Sequence, residues 1–168
     1  VLEFNGAGEF IRIEGVKAAN SPSIFSVARG TDVQWNEHGW IASSRGNNGF
    51  VLHPWKDASQ YSSVMIDNEG NYASGPQQYI GDAGETHLFG VIYDYSEFGQ
   101  KFFTLYDDQA FPWAGANIGP RDGEAIIDVN IGWDFDERFG EGQVAEHFMY
   151  NKRIRTSQRR IISSYLGA

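Results

Sequence analysis

Apolar residues in this chain come in short bursts separated by Gly, Asn and Asp, and no run with helical periodicity appears before residue 156. Bursts of that length suit strands, and the turns between them leave no room for the helices that a parallel sheet needs. Strands are expected over 1–4, 9–13, 23–29, 40–43, 49–52, 61–67, 86–93, 101–106, 124–133 and 143–150. The segment 124–133 alternates Ala125, Ile127, Val129 and Ile131 with Ile126, Asp128 and Asn130, which suits a strand with one face in a core. Leu88, Phe89, Val91 and Ile92 mark a buried central strand. Twelve Phe, eight Tyr and five Trp favour strands, and twenty Gly supply turns. The expected fold is all-β: a two-sheet antiparallel β-sandwich formed by one domain over 1–168.

The exception is the C-terminus. Thr156 is a good helix cap, and Ile161, Ile162, Tyr165 and Leu166 follow at helical spacing. These four are expected to form one stripe packed on the core. Gly167 stands at the C′ place, and Arg155, Arg159 and Arg160 read as the solvated face.

Charge narrows the partners. The net charge of −9 repels phosphate backbones and anionic membrane surfaces, so nucleic acid and membrane insertion are excluded as expectations. Zero Cys removes thiolate zinc sites, disulfides and a Cys nucleophile. No apolar run reaches membrane-spanning length. The chain begins in a strand without Met, so it reads as a domain excised from a longer protein with flanking domains.

Carboxylates on turns are the raw material for Ca2+ sites. Asp134, Asp136 and Glu141 crowd one Gly-rich loop, and Asp107 and Asp108 crowd another. Asp also opens turns by bonding its own backbone, and that alternative stands beside the metal for both loops. The most site-like stretch runs from Arg45 to Trp55. Arg45 can fork onto a carboxylate, Asn47 and Asn48 offer donors and acceptors, His53 ends a strand, and Trp55 gives a flat wall. The plain alternative is a hairpin with Arg45 solvated. Trp113, in a stretch read as a loop, is a second aromatic platform. Trp35, Trp40 and Trp133 read as packing, and His87 and His147 as satisfied strand residues.

The block Gly142-Gln143-Val144-Ala145-Glu146-His147-Phe148-Met149-Tyr150-Asn151-Lys152-Arg153-Ile154, followed by Thr156-Ser157-Gln158-Arg159-Arg160 and Ser164-Tyr165-Leu166, resembles the closing strand and helix of laminin G-like domains in the concanavalin A-like superfamily. Phe4-Asn5-Gly6 and Leu105-Tyr106-Asp107-Asp108-Gln109 resemble two further turns of that family. Ile154 and Gln158 stand where Leu and Glu are usual, and Gln109 stands where Gly is usual. The resemblance implies a jelly-roll sandwich with a short C-terminal helix. It extends to ligand-binding modules of large bacterial RTX adhesins, acidic and without Cys, some of which bind a peptide C-terminus with help from calcium.

The alternative is an enzyme of the same fold. Retaining glucanases carry E-x-D-x-(x)-E on one strand. The nearest string here, Trp133-Asp134-Phe135-Asp136-Glu137, lacks the first Glu. The Q-x-H set of alginate lyases and the G-x-S-x-G elbow are also absent. The expected function is therefore non-enzymatic. It is a calcium-dependent extracellular adhesion module recognising a peptide C-terminus on a host or neighbouring cell surface, with carbohydrate binding or glycan-active chemistry as the alternative.

Overall fold

A computed structural model of the chain describes residues 1–30, 40–55, 60–75, 78–79, 84–96, 99–107, 109–114, 118–134 and 138–166. Thirteen strands and one helix follow in chain order. They are β1 (Leu2–Asn5), β2 (Ile11–Lys17), β3 (Ser23–Gly30), β4 (Ala42–Ser44), β5 (Phe50–Trp55), β6 (Gln60–Ile66), β7 (Tyr72–Ser74), β8 (Gln78–Tyr79), β9 (His87–Ser96), β10 (Gly99–Tyr106), β11 (Gln109–Ala114), β12 (Ile126–Ile131), β13 (Glu141–Tyr150) and α1 (Thr156–Leu166). The strands form two antiparallel sheets. One has the order β1-β13-β3-β9-β10-β11. The other has the order β2-β12-β4-β5-β6-β7, with β8 also paired to β6.

The expected sandwich is the observed one, and strand alternation builds its core. Trp40, Phe50, Leu52, Tyr61, Phe89 and Ile24 are fully buried between the sheets. Each such side chain contributes about 1.5–3 kcal/mol. Two polar contacts stitch the layers within this apolar core: Tyr61 Oη donates to Gly90 O at 2.8 Å, and Ser63 and Thr104 hydroxyls meet at 2.7 Å across the sheets. The Trp40 indole leaves no space beside the closing strand. A Cβ at Gly140 would sit 2.2 Å from its ring, so this glycine is required by close approach.

The outer faces differ. On the six-stranded sheet a second apolar cluster joins Phe25, Val27, Leu88, Ile92 and Leu105 to Ile154, and Ile162 and Leu166 of α1 pack against it. On the seven-stranded sheet Asp128 and Asn130 occupy the face of β12 opposite buried Ile127, Val129 and Ile131.

Three expectations change. The sequence pattern does not mark β7, β8 or β11, and β11 places Trp113 in a strand rather than in the expected loop. Pro112 within β11 is tolerated because β11 is an edge strand, where one side of the backbone needs no ladder donor. The helix docks by a narrower stripe than expected. Ile162 and Leu166 reach the sheet, while Ile161 and Tyr165 are 70 % and 72 % exposed. Both pairs are four residues apart, but they lie on neighbouring stripes, and a flat sheet takes one of them. The cap also moves by one residue: Gln158 Oε1 accepts from Arg155 N at 2.9 Å, the reciprocal half of a capping box, which puts Thr156 inside the first turn. Gly167 lies outside the described residues. Among the described residues no helix is long and apolar enough to cross a membrane.

Candidate functional site

The loop joining β4 to β5 has two sides. Its inner side is built by Asn48 and Gly49. Asn48 adopts a left-handed backbone (φ 61°), which Asn tolerates better than most residues. Gly49 is required, because a Cβ there would sit 1.8 Å from Ser44 O. Asn48 is 4 % exposed, and its Oδ1 accepts from Asp122 N at 2.6 Å. Its carbonyl joins those of Ala19, Gly49 and Ile66 around the guanidinium of Arg121, which is 3 % exposed. Burial pulls Arg121 down to about 10, with Tyr93 and Asp67 acting in the opposite sense, so it remains a cation at neutral pH. Beside it, buried Asp67 accepts from the backbone N–H groups of Gly119 (2.6 Å), Glu69 (2.8 Å) and Asn71 (2.9 Å), and from Asn71 Nδ2 (3.1 Å). Burial raises the Asp67 carboxyl. The hydrogen bonds from Gly119, Asn71 and Glu69 outweigh that and hold it below its ordinary value. These groups form a structural hub, and Asn48 belongs to it.

The outer side of the loop opens onto a cleft of about 500 Å³, lined by Arg12, Arg45, Asn47, Asp128, Asn130 and Trp133 among others. Arg45 forks onto Asp134: Nε donates to Oδ1 at 2.7 Å and Nη2 donates to Oδ2. Asp134 is fully buried, and the Arg45 side chain is 36 % exposed. The residues expected to take an anion and a cation therefore take each other. Across the cleft Arg12 donates to Asp128 Oδ2, and Gly15 N donates to Oδ1 at 3.1 Å. The hydrogen bond from Arg12, then that from Gly15, holds the Asp128 carboxyl below its ordinary value.

Between these pairs stand Asn130 and Trp133. Asn130 is opposite Arg12 in one strand register and Ser43 in the other. Ser43 Oγ donates to Trp133 O at 3.1 Å, which ties the strand end to β4. The Trp133 ring lies 5.0 Å from Phe10 and 6.4 Å from Phe139, centroid to centroid. Asn130 Oδ1 and Trp133 Nε1 are buried and have no hydrogen-bond partner among the described residues. The sequence marks Asn130 only as a polar position on a strand, and it reads Trp133 as packing. The signal available was Asp128 and Asn130 on the polar face of an otherwise apolar strand.

The remaining expected site residues scatter. Asn47 Nδ2 donates to Asn68 O at 3.0 Å at the cleft margin. His53 lies farther along β5, opposite Ser62. The backbone places Trp55 opposite Gln60 and Trp113 opposite Phe102, and their side chains lie outside what is described. Asp107 stands at the β10–β11 turn with φ 50°. Its Oδ1 accepts from Leu88 N at 3.0 Å, and its Oδ2 is 3.1 Å from His87 Nδ1. Glu141 is exposed opposite Asn5. Asp108 and Asp136 lie outside the described residues. Asp107, Asp134 and Glu141 do not fit a Ca2+ set. The Asp134 oxygens face Arg45, the Asp107 oxygens face Leu88 and His87, and no group of three acidic or His residues that could hold a metal occurs among the described residues.

No protein-family model matches the chain, and no curated protein matches it. Solved structures do. Domain 4 of AbnA, an extracellular arabinanase of Geobacillus stearothermophilus in complex with arabinotriose, has a TM-score of 0.74 at 13 % identity, over 96 % of this chain and 75 % of that one. A heptameric SAP-like pentraxin from Limulus polyphemus has a TM-score of 0.69 at 13 % identity, over 96 % and 80 %. The CBM40 of the Ruminococcus gnavus IT-sialidase, bound to alpha2,3 sialyllactose, has a TM-score of 0.64 at 11 % identity, over 96 % and 98 %. These likenesses establish the architecture: the chain has a jelly-roll β-sandwich fold.

Proposed function

We propose that the chain is a glycan-binding module whose ligand lies in the cleft on the outer face of the seven-stranded sheet. The observation that carries this reading is the pair Asn130 Oδ1 and Trp133 Nε1, an acceptor and a donor without partners among the described residues in one cleft. A sugar hydroxyl is both donor and acceptor, so it answers both atoms. Leaving either dry costs about 1–3 kcal/mol. The aromatic group of Trp133, Phe10 and Phe139 supplies an apolar wall beside them.

Charge favours a neutral ligand. Arg12 and Arg45 are each matched by a carboxylate, Asp128 and Asp134. Capture of a peptide C-terminus by Arg45 would have to take the guanidinium away from a fully buried carboxylate, Asp134. Hydrolysis is disfavoured on similar grounds. A glycosidase acid needs a raised carboxyl pKa, whereas Arg12 lowers that of Asp128. Two neighbours of the fold bind arabinotriose and sialyllactose, which agrees with a glycan ligand. A glycan-binding module belongs outside the cell or on its surface.

The test is an array of neutral and anionic oligosaccharides, with free and amidated peptides alongside. Neutral oligosaccharides should bind without need of calcium. Asn130→Ala and Trp133→Phe should each weaken them about tenfold, about 1.4 kcal/mol. Binding only to free peptide C-termini, abolished by chelator, would replace this reading with calcium-aided peptide capture.

A further inference from the structure

The edges of the two sheets are not alike. β1 has four residues, β7 has three, and β11 has six and carries Pro112. Short edges and edge prolines discourage pairing with another chain. β2 is the longest edge strand among the described residues, with seven residues and no Pro. It pairs with β12 on one side, and no described strand pairs with it on the other. All its residues are exposed except Val16, which is half-buried. Ile11 and Ile13 face inwards, opposite Ile131 and Val129. They are nevertheless 36 % and 41 % exposed, whereas Ile131 and Val129 are 4 % and 2 % exposed. Ile131 and Val129 have a strand on both sides, and Ile11 and Ile13 have one on a single side.

The outer face of β2 narrows the choice of partner. Arg12 and Glu14 share that face, with Arg12 Nε 3.7 Å from Glu14 Oε1. The register with β12 shifts just beyond them, where Gly15 has φ 71°, so the regular ladder reaches Glu14. Directly opposite residues of an antiparallel pair share a face. Two copies of β2 related by a two-fold axis at Ile13 therefore set Ile13 against Ile13 of the second copy on the inner face. On the outer face the same axis sets Arg12 of each copy against Glu14 of the other. Arg12 donates to Asp128 through Nη2, and a guanidinium has donors to spare for a further carboxylate. An axis at Arg12 or at Glu14 would oppose like charges, which weakens such a pair. An axis at Ile11 sets Arg12 against Phe10. The charges of β2 thus complement a second β2 in one register.

We propose that β2 is the contact between two copies of this chain, paired antiparallel about Ile13 into one continuous sheet. Arg12 and Asp128 also line the cleft. The two clefts of the dimer therefore lie beside each other on one face, where a multivalent target meets the second at raised effective concentration. The pairing rests on β2 alone and not on what the cleft binds.

The chain has no Cys, so one introduced thiol reports alone. Directly opposite residues have Cβ atoms about 4.5–5.5 Å apart, close to disulfide reach. Under mild oxidation Ile13→Cys should form a linked dimer at least about tenfold faster than either of two controls. One control is Tyr72→Cys, an exposed position on the far edge strand, β7. The other is Ile11→Cys, which the same axis sets against Gly15. Light scattering of the parent chain should show a dimer population that grows with concentration and is substantial at about 100 μM. Ile13→Lys changes an exposed position, so the melting temperature should stay near that of the parent while dimerisation weakens about tenfold or more. Glu14→Lys should weaken it about fivefold, and added salt should weaken the parent dimer in the same direction. The proposal is overturned if the parent is monomeric at about 1 mM. It is also overturned if Ile13→Cys crosslinks no faster than the controls, or if Ile13→Lys and Glu14→Lys dimerise like the parent. A parent that stays monomeric while an unrelated extended peptide shifts the amide signals of β2 would overturn it in favour of a strand from another protein.

Discussion

Two sides of one loop treat charge in opposite ways. On the inner side Asn48 and Gly49 enter a hub where Arg121 meets four backbone carbonyls and Asp67 meets three backbone N–H groups. On the outer side Arg45 is forked onto a side chain, that of Asp134, beside polar atoms without partners among the described residues. A charge held by backbone fixes the path of the chain, because moving it would strand several peptide groups at once. A charge held by another side chain sets the shape and sign of a surface and leaves the chain path to other contacts. The hub is therefore read as structure and the cleft as a place for a ligand.

The strongest challenge to this contrast is Arg121→Met. It strips the donor from four carbonyls and removes a cation that interacts with Asp67, so a loss of about 3–5 kcal/mol is expected. Urea unfolding measures it. A loss under about 1 kcal/mol would show that the hub does not fix the loop. Asp67→Asn should follow at about 2–3 kcal/mol, because an amide cannot accept from all four donors. Its pH dependence sharpens the point. The folded Asp67 carboxyl is held below its ordinary value. Its stabilisation is therefore complete above the unfolded value of about 3.9 and is lost as pH falls through the lower folded value. The parent protein should lose stability in that acid range more steeply than Asp67→Asn.

On the outer side the expected effects are smaller. Arg45→Ala should cost about 2 kcal/mol, less than for a fully buried pair because Arg45 is partly exposed. The double change Arg45→Met, Asp134→Leu should recover most of that, since it removes the stranded carboxylate as well. If the double variant is as weak as the single one, the pair does more than neutralise itself. Least of all, Arg12→Ala should leave the unfolding midpoint unchanged, because its pair with Asp128 is exposed and screened. It should weaken binding of neutral oligosaccharides by a similar factor at low and high salt, because an uncharged ligand meets Arg12 through hydrogen bonds only.

The sandwich was legible because strand alternation is local. Ile127, Val129 and Ile131 announce an inner face without reference to any partner. The end of β5 shows the limit of such reading. Pro54 looks like a strand breaker, yet it lies past Leu52, where β4 ends, so its missing N–H faces a side with no ladder. Arg121 was invisible for another reason. Its partners are backbone carbonyls 55 to 102 residues away, and a carbonyl leaves no mark in a sequence. The pairing of Arg45 with Asp134 joins residues 89 apart. Each residue could be seen as site-like, but whether they faced each other or a ligand depended on sheet order. That order, with β12 beside β4, is set by the whole fold.

The pairing of β1 with β13 carries a mechanical consequence. Leu2 lies opposite Val144 and Asn5 opposite Glu141, so the chain enters β1 at the same end of the pair from which β13 continues towards Tyr150. A tension applied between residue 1 and the far end of β13 therefore loads this four-residue strand one rung at a time. Strands loaded end-on in this way yield at low force, whereas strands pulled lengthwise past each other resist with all their bonds together. Under pulling, β1 should peel first, while the hub and the cleft, both seated on the other sheet, stay intact. A strand that detaches early and re-pairs when the load drops would let the module give length without giving up its ligand.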